Sequence, residues 1–349
     1  MPNGEMEEKM DKFIVNIIHR PEMVPEYAEK VTGHGKEEDL GRKALLTESL
    51  DIFKFQQETA HKNGLKTTIQ MTYASLFNDE AVALAKADHE KYGDEIALSL
   101  LGLPCTEFRE KYKTKDFCIW MFSMEDKKSI VDDVFGKFHE KFGFYPESTG
   151  SYYMDADLTN YIKATYPTVK CAVATCWEEG PKAYHTCNNS WYTFMDGGVV
   201  AIPHLSRDLL ACYDGNGSNF GTHPQNVLRG MIYDTKTWEY PYLYNLIDQY
   251  RSLEKYNNGY AYNMMFVGPG WLNKMGRWEQ PYELLKKSYE DGMKYYGDLK
   301  KEGKLTDMTM AEFADYYRQK KTYTEPECAL WRDILYGSDK QLFWYCDPF

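Results

Sequence analysis

The stretch STGSYYMDADLTNYIKATYPTVKCAVATCW, residues 148–177, decides the fold prediction because it holds a strand, a helix and a second strand in succession. STGSYYM predicts a strand, DADLTNYIKATYP predicts a helix, and KCAVATCW is an apolar run of strand length. This order is typical of two parallel strands joined by a crossover helix. The second strand runs into Trp177 and two carboxylates, Glu178 and Glu179.

The same alternation of strand and helix signals continues through most of the chain. The other predicted strands cover residues 13–20, 66–73, 95–103, 198–205 and 260–270, with a short one near 304. Helices are expected between them, one capped by Asn78 or Asp79 and another ended by Gly143. Seven or eight such units predict an α/β fold, a (β/α) barrel of seven or eight parallel strands. A doubly wound open sheet is the alternative, although no glycine-rich phosphate loop follows the first strand.

The pattern changes after Lys321, which divides the chain into residues 1–320 and 321–349. The first part is the expected barrel. The second part is a short aromatic extension that ends in QLFWYCDPF. This ending is typical either of a packed terminal strand or of the start of a β-rich module.

Composition excludes several classes of function. The 349 residues carry a formal charge of -12 and no basic stripe, which argues against a nucleic-acid partner. No apolar run approaches the ~20 residues of a membrane span. The N-terminal residues lack the apolar segment of a signal peptide, so the chain is expected in the cytoplasm as written, or outside it if a leader has been removed. Its eight cysteines form no CxxC pair, which disfavours a thiolate zinc site.

Three segments carry a resemblance to a known superfamily. YGDEIALSLLGL (Tyr92–Leu103) is similar to its GHEIGLHSH-like strand, residues 148–177 to its RPPYG run with the following helix and strand, and LTDMTMAEFADYY (Leu305–Tyr317) to its last helix. The chain resembles the barrel shared by polysaccharide deacetylases and amylase/mannosidase-type glycoside hydrolases. More narrowly, it resembles an uncharacterised bacterial family of Bacteroidetes type in this glycoside hydrolase/deacetylase-like superfamily.

The resemblance departs from the superfamily at the metal ligands. It implies a divalent metal held by an Asp after the first strand and two His after the third. Here the first strand leads to His19 and Glu22, and the third reads Ser99, Leu100, Leu101. We therefore expect no cofactor, with a divalent metal on relocated ligands as the open alternative.

Candidate catalytic residues are sought where strands end, because barrel enzymes place their chemistry at the carboxyl ends of the strands. Hydrolysis of a glycosidic bond needs two carboxylates, one of them protonated. Asp155 and Glu178 follow consecutive strands beside aromatic residues, and Asp208 is the third candidate. Helix capping by Asp155 is an equally good explanation for that acid.

Other strand ends carry residues that suit sugar binding. Aromatic rings stack on the apolar faces of sugars, while charged and imidazole groups bind hydroxyls. The candidate substrate-binding residues are His19, Arg20, Tyr153, Trp177, His204, Arg207 and Trp271. If a metal were bound, His19, His204 and Asp208 would be its expected ligands.

The first hypothesis is a carbohydrate-active hydrolase that cleaves a glycosidic bond with a carboxylate pair at the barrel mouth. The second is a barrel that binds glycans without catalysis. The third is a metal-dependent carbohydrate deacetylase with non-standard ligands. In each case the partner is a carbohydrate, no nucleic acid is expected, and the oligomeric state is open.

Overall fold

The structure is a computed structural model with ten strands among its described residues. It describes residues 12–21, 49–100, 106–113, 119, 122–151, 154–175, 199–203, 208, 210, 240–257, 259–266, 272, 282–320, 326–334 and 337–346. In chain order, the strands are β1 Lys12–His19, β2 Thr68–Thr72, β3 Glu95–Ser99, β4 Ser148–Gly150, β5 Cys171–Thr175, β6 Val200–Pro203, β7 Tyr260–Phe266, β8 Thr306–Asp307, β9 Glu327–Arg332 and β10 Gln341–Cys346.

Eight α-helices lie in the same described ranges. They are α1 Ser49–Lys62, α2 Asp79–Tyr92, α3 Thr106–Tyr112, α4 Met124–Phe142, α5 Ala156–Thr165, α6 Tyr240–Arg251, α7 Tyr282–Lys301 and α8 Met310–Lys320. Short 3₁₀ turns cover Ala74–Phe77 and Ser252–Lys255. None of these helices combines the length and the apolar character that crossing a bilayer requires.

The first eight strands form one parallel sheet in the order β6-β5-β4-β3-β2-β1-β7, with β8 also paired to β1. The predicted α/β class with parallel strands and intervening helices is confirmed. Strands β6 and β7 form the two ends of this order, and no pairing between their described residues closes the sheet. The count of seven or eight strands in a closed barrel stays a prediction.

Strand β1 pairs with other strands along both of its edges. One edge pairs with β7 from Lys12 to Ile18. The other edge pairs with β8 at Ile14 and Val15, and with β2 at Ile18 and His19. The last strand of the sheet in the chain therefore fills the space beside β1 that β2 leaves open.

Alternation along the strands separates two apolar layers. Residues such as Met71 of β2 and Leu98 of β3 face outward and pack with Val134 and Phe135 of α4. Because successive side chains of a strand point to opposite faces, the neighbouring positions Thr72 and Ser99 face the other way. We call the face that carries Thr72 and Ser99 the inner face.

Helix α8 packs on the inner face and shows that the sheet is curled. Its residues Met310 and Phe313 share one buried cluster with Val173 of β5 and Tyr262 of β7, strands far apart in the sheet order. Tyr262 and Phe313 are stacked, with ring centroids 4.2 Å apart. A flat sheet could not bring β5 and β7 to the same helix, so the sheet bends around α8.

Helix ends follow the capping signals in the sequence. The Asn78 side chain accepts a hydrogen bond from the Ala81 backbone nitrogen at the start of α2. Gly143 ends α4 with φ 81°, a left-handed conformation that glycine adopts without strain. The cap at Asn78 and the stop at Gly143 are therefore confirmed.

The C-terminal residues form an antiparallel hairpin of β9 and β10. Trp331 of β9 is fully buried in the core around β1 and meets Tyr250 edge to face, at 4.9 Å between ring centroids. On β10, by contrast, Phe343 and Tyr345 are exposed. The hairpin thus contributes to the main core, and the division at residue 320 stays a prediction.

Candidate functional site

The carboxyl edge of the sheet carries buried polar residues, Thr72 and Ser99 on the inner face and Ser151 just after β4. Thr72 is in register with Ser99, and Ser99 with Gly150. The Thr72 hydroxyl donates to the carbonyl oxygen of Pro21 at 2.9 Å. The hydroxyl of Ser151, just after β4, is buried and has no hydrogen-bond partner among the described residues. Polar side chains therefore line the edge where barrel enzymes bind substrates.

His19 lies at the end of β1 with its ring on the outer, helix-covered side of the strand. Its Nδ1 is 2.5 Å from Gln57 Oε1 of α1, and its Nε2 is 2.5 Å from the Tyr289 hydroxyl of α7. Burial lowers the pKa of His19 to about 4, so the ring is neutral at pH 7. Both ring nitrogens contact side chains of helices, so His19 joins the end of β1 to α1 and α7 and has a structural role.

The sequence prediction put His19 at the carboxyl edge because the residue lies at the end of a strand. The strand end settles neither the height of His19, which is in register with Ile69 near the start of β2, nor its face, which depends on the alternation along the strand. Phe13, Val15 and Ile17 face the same outer core, and His19 continues their series. Arg20, the next residue, is buried as well.

Asp155 caps helix α5, as one of the two sequence interpretations expected. Its Oδ1 accepts from the Leu158 backbone nitrogen at 2.8 Å, and its Oδ2 lies 2.8 Å from Lys127 Nζ of α4. Burial acts to raise the pKa of Asp155, but the hydrogen bonds from Lys127 and Leu158 outweigh it, and the pKa is lowered overall. The carboxylate is therefore ionised at neutral pH, which suits a base or nucleophile and not a general acid.

Asp208 is almost fully buried, and its Oδ1 accepts a 2.9 Å hydrogen bond from Trp331 Nε1. This contact links the segment after β6 to the C-terminal hairpin. The remaining sequence-predicted site residues lie outside the described residues; they are Tyr153, Trp177, Glu178, His204, Arg207 and Trp271.

A second group of candidate side chains lies at the opposite edge and was not predicted from the sequence. His61 is in the last turn of α1, Asp88 is near the end of α2, and Asp94 directly precedes β3. One nitrogen or oxygen atom from each of these three side chains lies within 4.8 Å of the other two. We call His61, Asp88 and Asp94 the amino-edge cluster.

Hydrogen bonds hold the amino-edge cluster in place. His61 Nε2 donates to Asp94 Oδ2 at 2.8 Å. Gln57 Nε2 donates to Asp88 Oδ2 at 2.9 Å and to Asp94 Oδ2 at 2.8 Å. The Thr67 backbone nitrogen donates to Asp94 Oδ1 at 2.8 Å. An imidazole and two carboxylates fixed in this way are a donor set for a divalent metal.

The sequence contained a weak signal for this cluster. Gln57 and His61 are four residues apart and so lie on one face of α1. Asp88 and Asp94 are brought together because Gly93 turns the chain at φ 76° between α2 and β3. The pairing of the two segments depends on helix packing, which the periodicity of either segment does not reveal.

The metal ligands implied by the superfamily resemblance are not supplied where it would place them. The third strand ends with Ser99, which is a hydroxyl and not an imidazole, and Leu100, which packs in the outer apolar cluster. Leu101 lies outside the described residues. The His19 nitrogens contact Gln57 and Tyr289. This donor set does not fit a deacetylase-type metal at the carboxyl edge.

No protein-family model matches the chain, and no curated protein matches it. Among solved structures, a protein assigned as a polysaccharide deacetylase from Mycobacterium smegmatis is 9% identical with a TM-score of 0.45, over 89% of this chain and 92% of that one. The PuuE allantoinase is 10% identical with a TM-score of 0.47, over 93% of this chain and 96% of that one. At TM-scores below 0.5, neither similarity bears on the fold or the chemistry of this protein.

Proposed function

We propose that the protein is a hydrolase that acts on a carbohydrate at the carboxyl edge of its sheet. The observation that supports this most is the set of buried polar residues at that edge, where Thr72 and Ser99 are in register and the Ser151 hydroxyl follows the next strand. On the opposite face β2 and β3 are apolar. A buried hydroxyl is costly unless it is hydrogen-bonded, and that of Ser151 has no partner among the described residues, so a bound sugar would satisfy it.

The proposed reaction is cleavage of a glycosidic bond by two carboxylates. Asp155, whose pKa is lowered, would be the ionised partner, acting as base or nucleophile. Glu178, which closely follows β5 in the chain, would be the general acid. Asp208, which follows β6 in the chain, is the third candidate carboxylate. The proposed sugar contacts are Arg20, Tyr153, Trp177, His204, Arg207 and Trp271.

A glycan-binding barrel without catalysis is the second candidate. The observation that favours it is the engagement of Asp155 by the Leu158 backbone and Lys127, which gives that carboxylate a complete structural role. In that case the same carboxyl edge would bind sugar through its rings and hydroxyls but would not turn it over. A deacetylase would release acetate instead, and it would need a metal on ligands other than the superfamily set.

One experiment separates these functions. The full chain is incubated with plain and acetylated oligosaccharides, and new reducing ends and free acetate are measured separately. We expect new reducing ends, and we expect Glu178→Gln to lower kcat by about 100-fold or more while sugar affinity changes little. Glu179→Gln is the matched control and should retain activity.

Acetate release without new reducing ends would show that the protein is a deacetylase and not a glycosidase. Sugar binding with neither product, unchanged in Glu178→Gln, would establish the binding barrel. Absence of both binding and turnover across the panel would refute a carbohydrate function.

A further inference from the structure

We propose that His61, Asp88 and Asp94 bind one divalent metal ion, of the zinc or manganese class, at the amino edge of the sheet. This site is separate from the carboxyl edge and does not depend on the proposed hydrolase function. Its elements are the end of α1, the end of α2 and the start of β3. The ion would join these three elements, so its role would be structural.

The donor atoms have the right chemistry and nearly the right spacing. Zinc binds imidazole nitrogen and carboxylate oxygen at about 2.0–2.2 Å, which places its ligands some 3–4 Å apart. The three donor atoms here already lie within 4.8 Å of one another, and His61 Nε2 is 2.8 Å from Asp94 Oδ2. Small side-chain rotations would bring the atoms to coordinating distance, and the proton on His61 Nε2 would leave as the ion binds.

Neighbouring groups orient each donor toward a common point. The Thr67 backbone nitrogen holds Asp94 Oδ1 at 2.8 Å, which turns Oδ2 into the cluster. The ring of Tyr92 stacks on His61 at 3.6 Å between centroids and fixes the imidazole plane. Outer contacts of this kind orient the ligands in protein metal sites.

Gln57 is placed to supply a fourth ligand. Its amide nitrogen now donates to both carboxylates, while its Oε1 accepts from Thr67 Oγ1 at 3.0 Å and is 2.5 Å from His19 Nδ1. A half-turn of the amide would direct Oε1 toward the ion. The amide nitrogen would then donate to His19 Nδ1, whose proton would move to Nε2, where the Tyr289 hydroxyl oxygen can accept it.

Charge also favours a cation. Asp88 is 7% exposed and Asp94 is fully buried, and their Oδ2 atoms share one amide donor. Two close carboxylates with little access to water repel each other, and each loses solvation. A divalent ion would compensate both carboxylates.

The test uses the full chain, freed of metal with a chelator and dialysed. Zinc and then manganese are titrated in by calorimetry, and thermal unfolding is followed with and without each ion. We expect one saturable site per chain and a rise in Tm of about 2 °C or more at saturation. Asp88→Asn and His61→Gln should each weaken binding at least tenfold.

Glu90→Gln is the matched control, because it removes the same charge from an exposed position on the same helix. It should bind as the wild type does. The proposal is overturned if no saturable site is found in the wild-type chain, or if Asp88→Asn and His61→Gln bind as Glu90→Gln does. Circular dichroism of the metal-free variants shows whether each is folded. Glu178→Gln should bind the metal normally, so a failed hydrolase assay leaves this test intact.

Discussion

The carboxylate of Glu95, on the inner face of β3, accepts a 3.0 Å hydrogen bond from the backbone nitrogen of Ala311, 216 residues later in the chain. Its Oε2 also lies 3.3 Å from the Thr68 hydroxyl. Ala311 is in the first turn of α8, where free backbone N–H groups and the helix dipole favour an acceptor. Glu95 therefore fixes the start of α8 inside the curled sheet.

Replacement of Glu95 should separate its hydrogen bond from its charge. Burial raises the pKa of Glu95 above its ordinary 4.5, so the folded chain holds the proton more tightly than the unfolded chain, and stability is lost as the pH rises through this raised pKa. Glu95→Gln keeps the acceptor for Ala311 and should gain stability relative to wild type between pH 4 and pH 7. Glu95→Ala should lose about 1–3 kcal/mol at both pH values. Urea unfolding at the two pH values measures both effects. If Glu95→Gln loses stability relative to wild type as the pH rises from 4 to 7, this account is contradicted.

His19 should make stability fall in acid. Its folded pKa of about 4 lies below the unfolded value of 6.5, so the unfolded chain binds the proton first as the pH drops from 6.5 toward 4. Up to about 3 kcal/mol of stability should be lost over this range. Urea unfolding at pH 7 and pH 4.5 should show the gap between wild type and His19→Gln narrowing in acid. His139→Gln, which removes an exposed imidazole from the surface of α4, is the matched control.

Asp155 should show a capping role that is separable from any catalytic role. Asn caps helices about as well as Asp, so Asp155→Asn should change the free energy of unfolding by less than about 1 kcal/mol, whereas Asp155→Ala should cost about 1 kcal/mol. Because the pKa of Asp155 is lowered, its ionic contribution is present at neutral pH and is lost as the pH falls through that pKa. If hydrolysis is found, loss of turnover in the stable Asn variant would assign Asp155 to catalysis.

Gly150 should tolerate no side chain. A Cβ atom there would lie 2.6 Å from Val173 Cβ and 2.9 Å from the Val173 carbonyl oxygen on β5. Gly150→Ala should therefore destabilise the chain by about 2 kcal/mol or more, because β4 and β5 would have to separate. Gly136→Ala, in the middle of α4 with open space around it, should stabilise by about 0.5–1 kcal/mol. Equal effects of the two substitutions in denaturant unfolding would refute the close approach.

Local patterns were enough to predict most of the element order and several helix ends, although helix α3 (Thr106–Tyr112) was not predicted. A strand over residues 260–270 is predicted from its apolar run, and the cap at Asn78 from its side-chain chemistry. Strand β7 confirms the first over Tyr260–Phe266, and α2 confirms the cap. These features depend on neighbours in the chain, and so a single sequence records them.

Features that depend on packing between distant elements were not predictable in this way. The inner-face position of α8 follows from contacts such as Ser148 and Cys171 with Met310, which no periodicity encodes. The contact of the His19 ring with Gln57 and the hydrogen bond between His61 and Asp94 both depend on how α1 packs on the sheet. Their sequence neighbourhoods resemble ordinary amphipathic segments.

The placement of β1 between β7 and β8 has a consequence for how the chain acquires its structure. During synthesis β2 to β6 can assemble in chain order, but the partners of β1 on its β7 edge follow only after residue 260, and β8 only at residue 306. Until then β1 presents an unpaired apolar edge, the kind of surface on which chains associate wrongly. We expect completion of the sheet to be the slow step of folding, since it joins residues more than 240 positions apart.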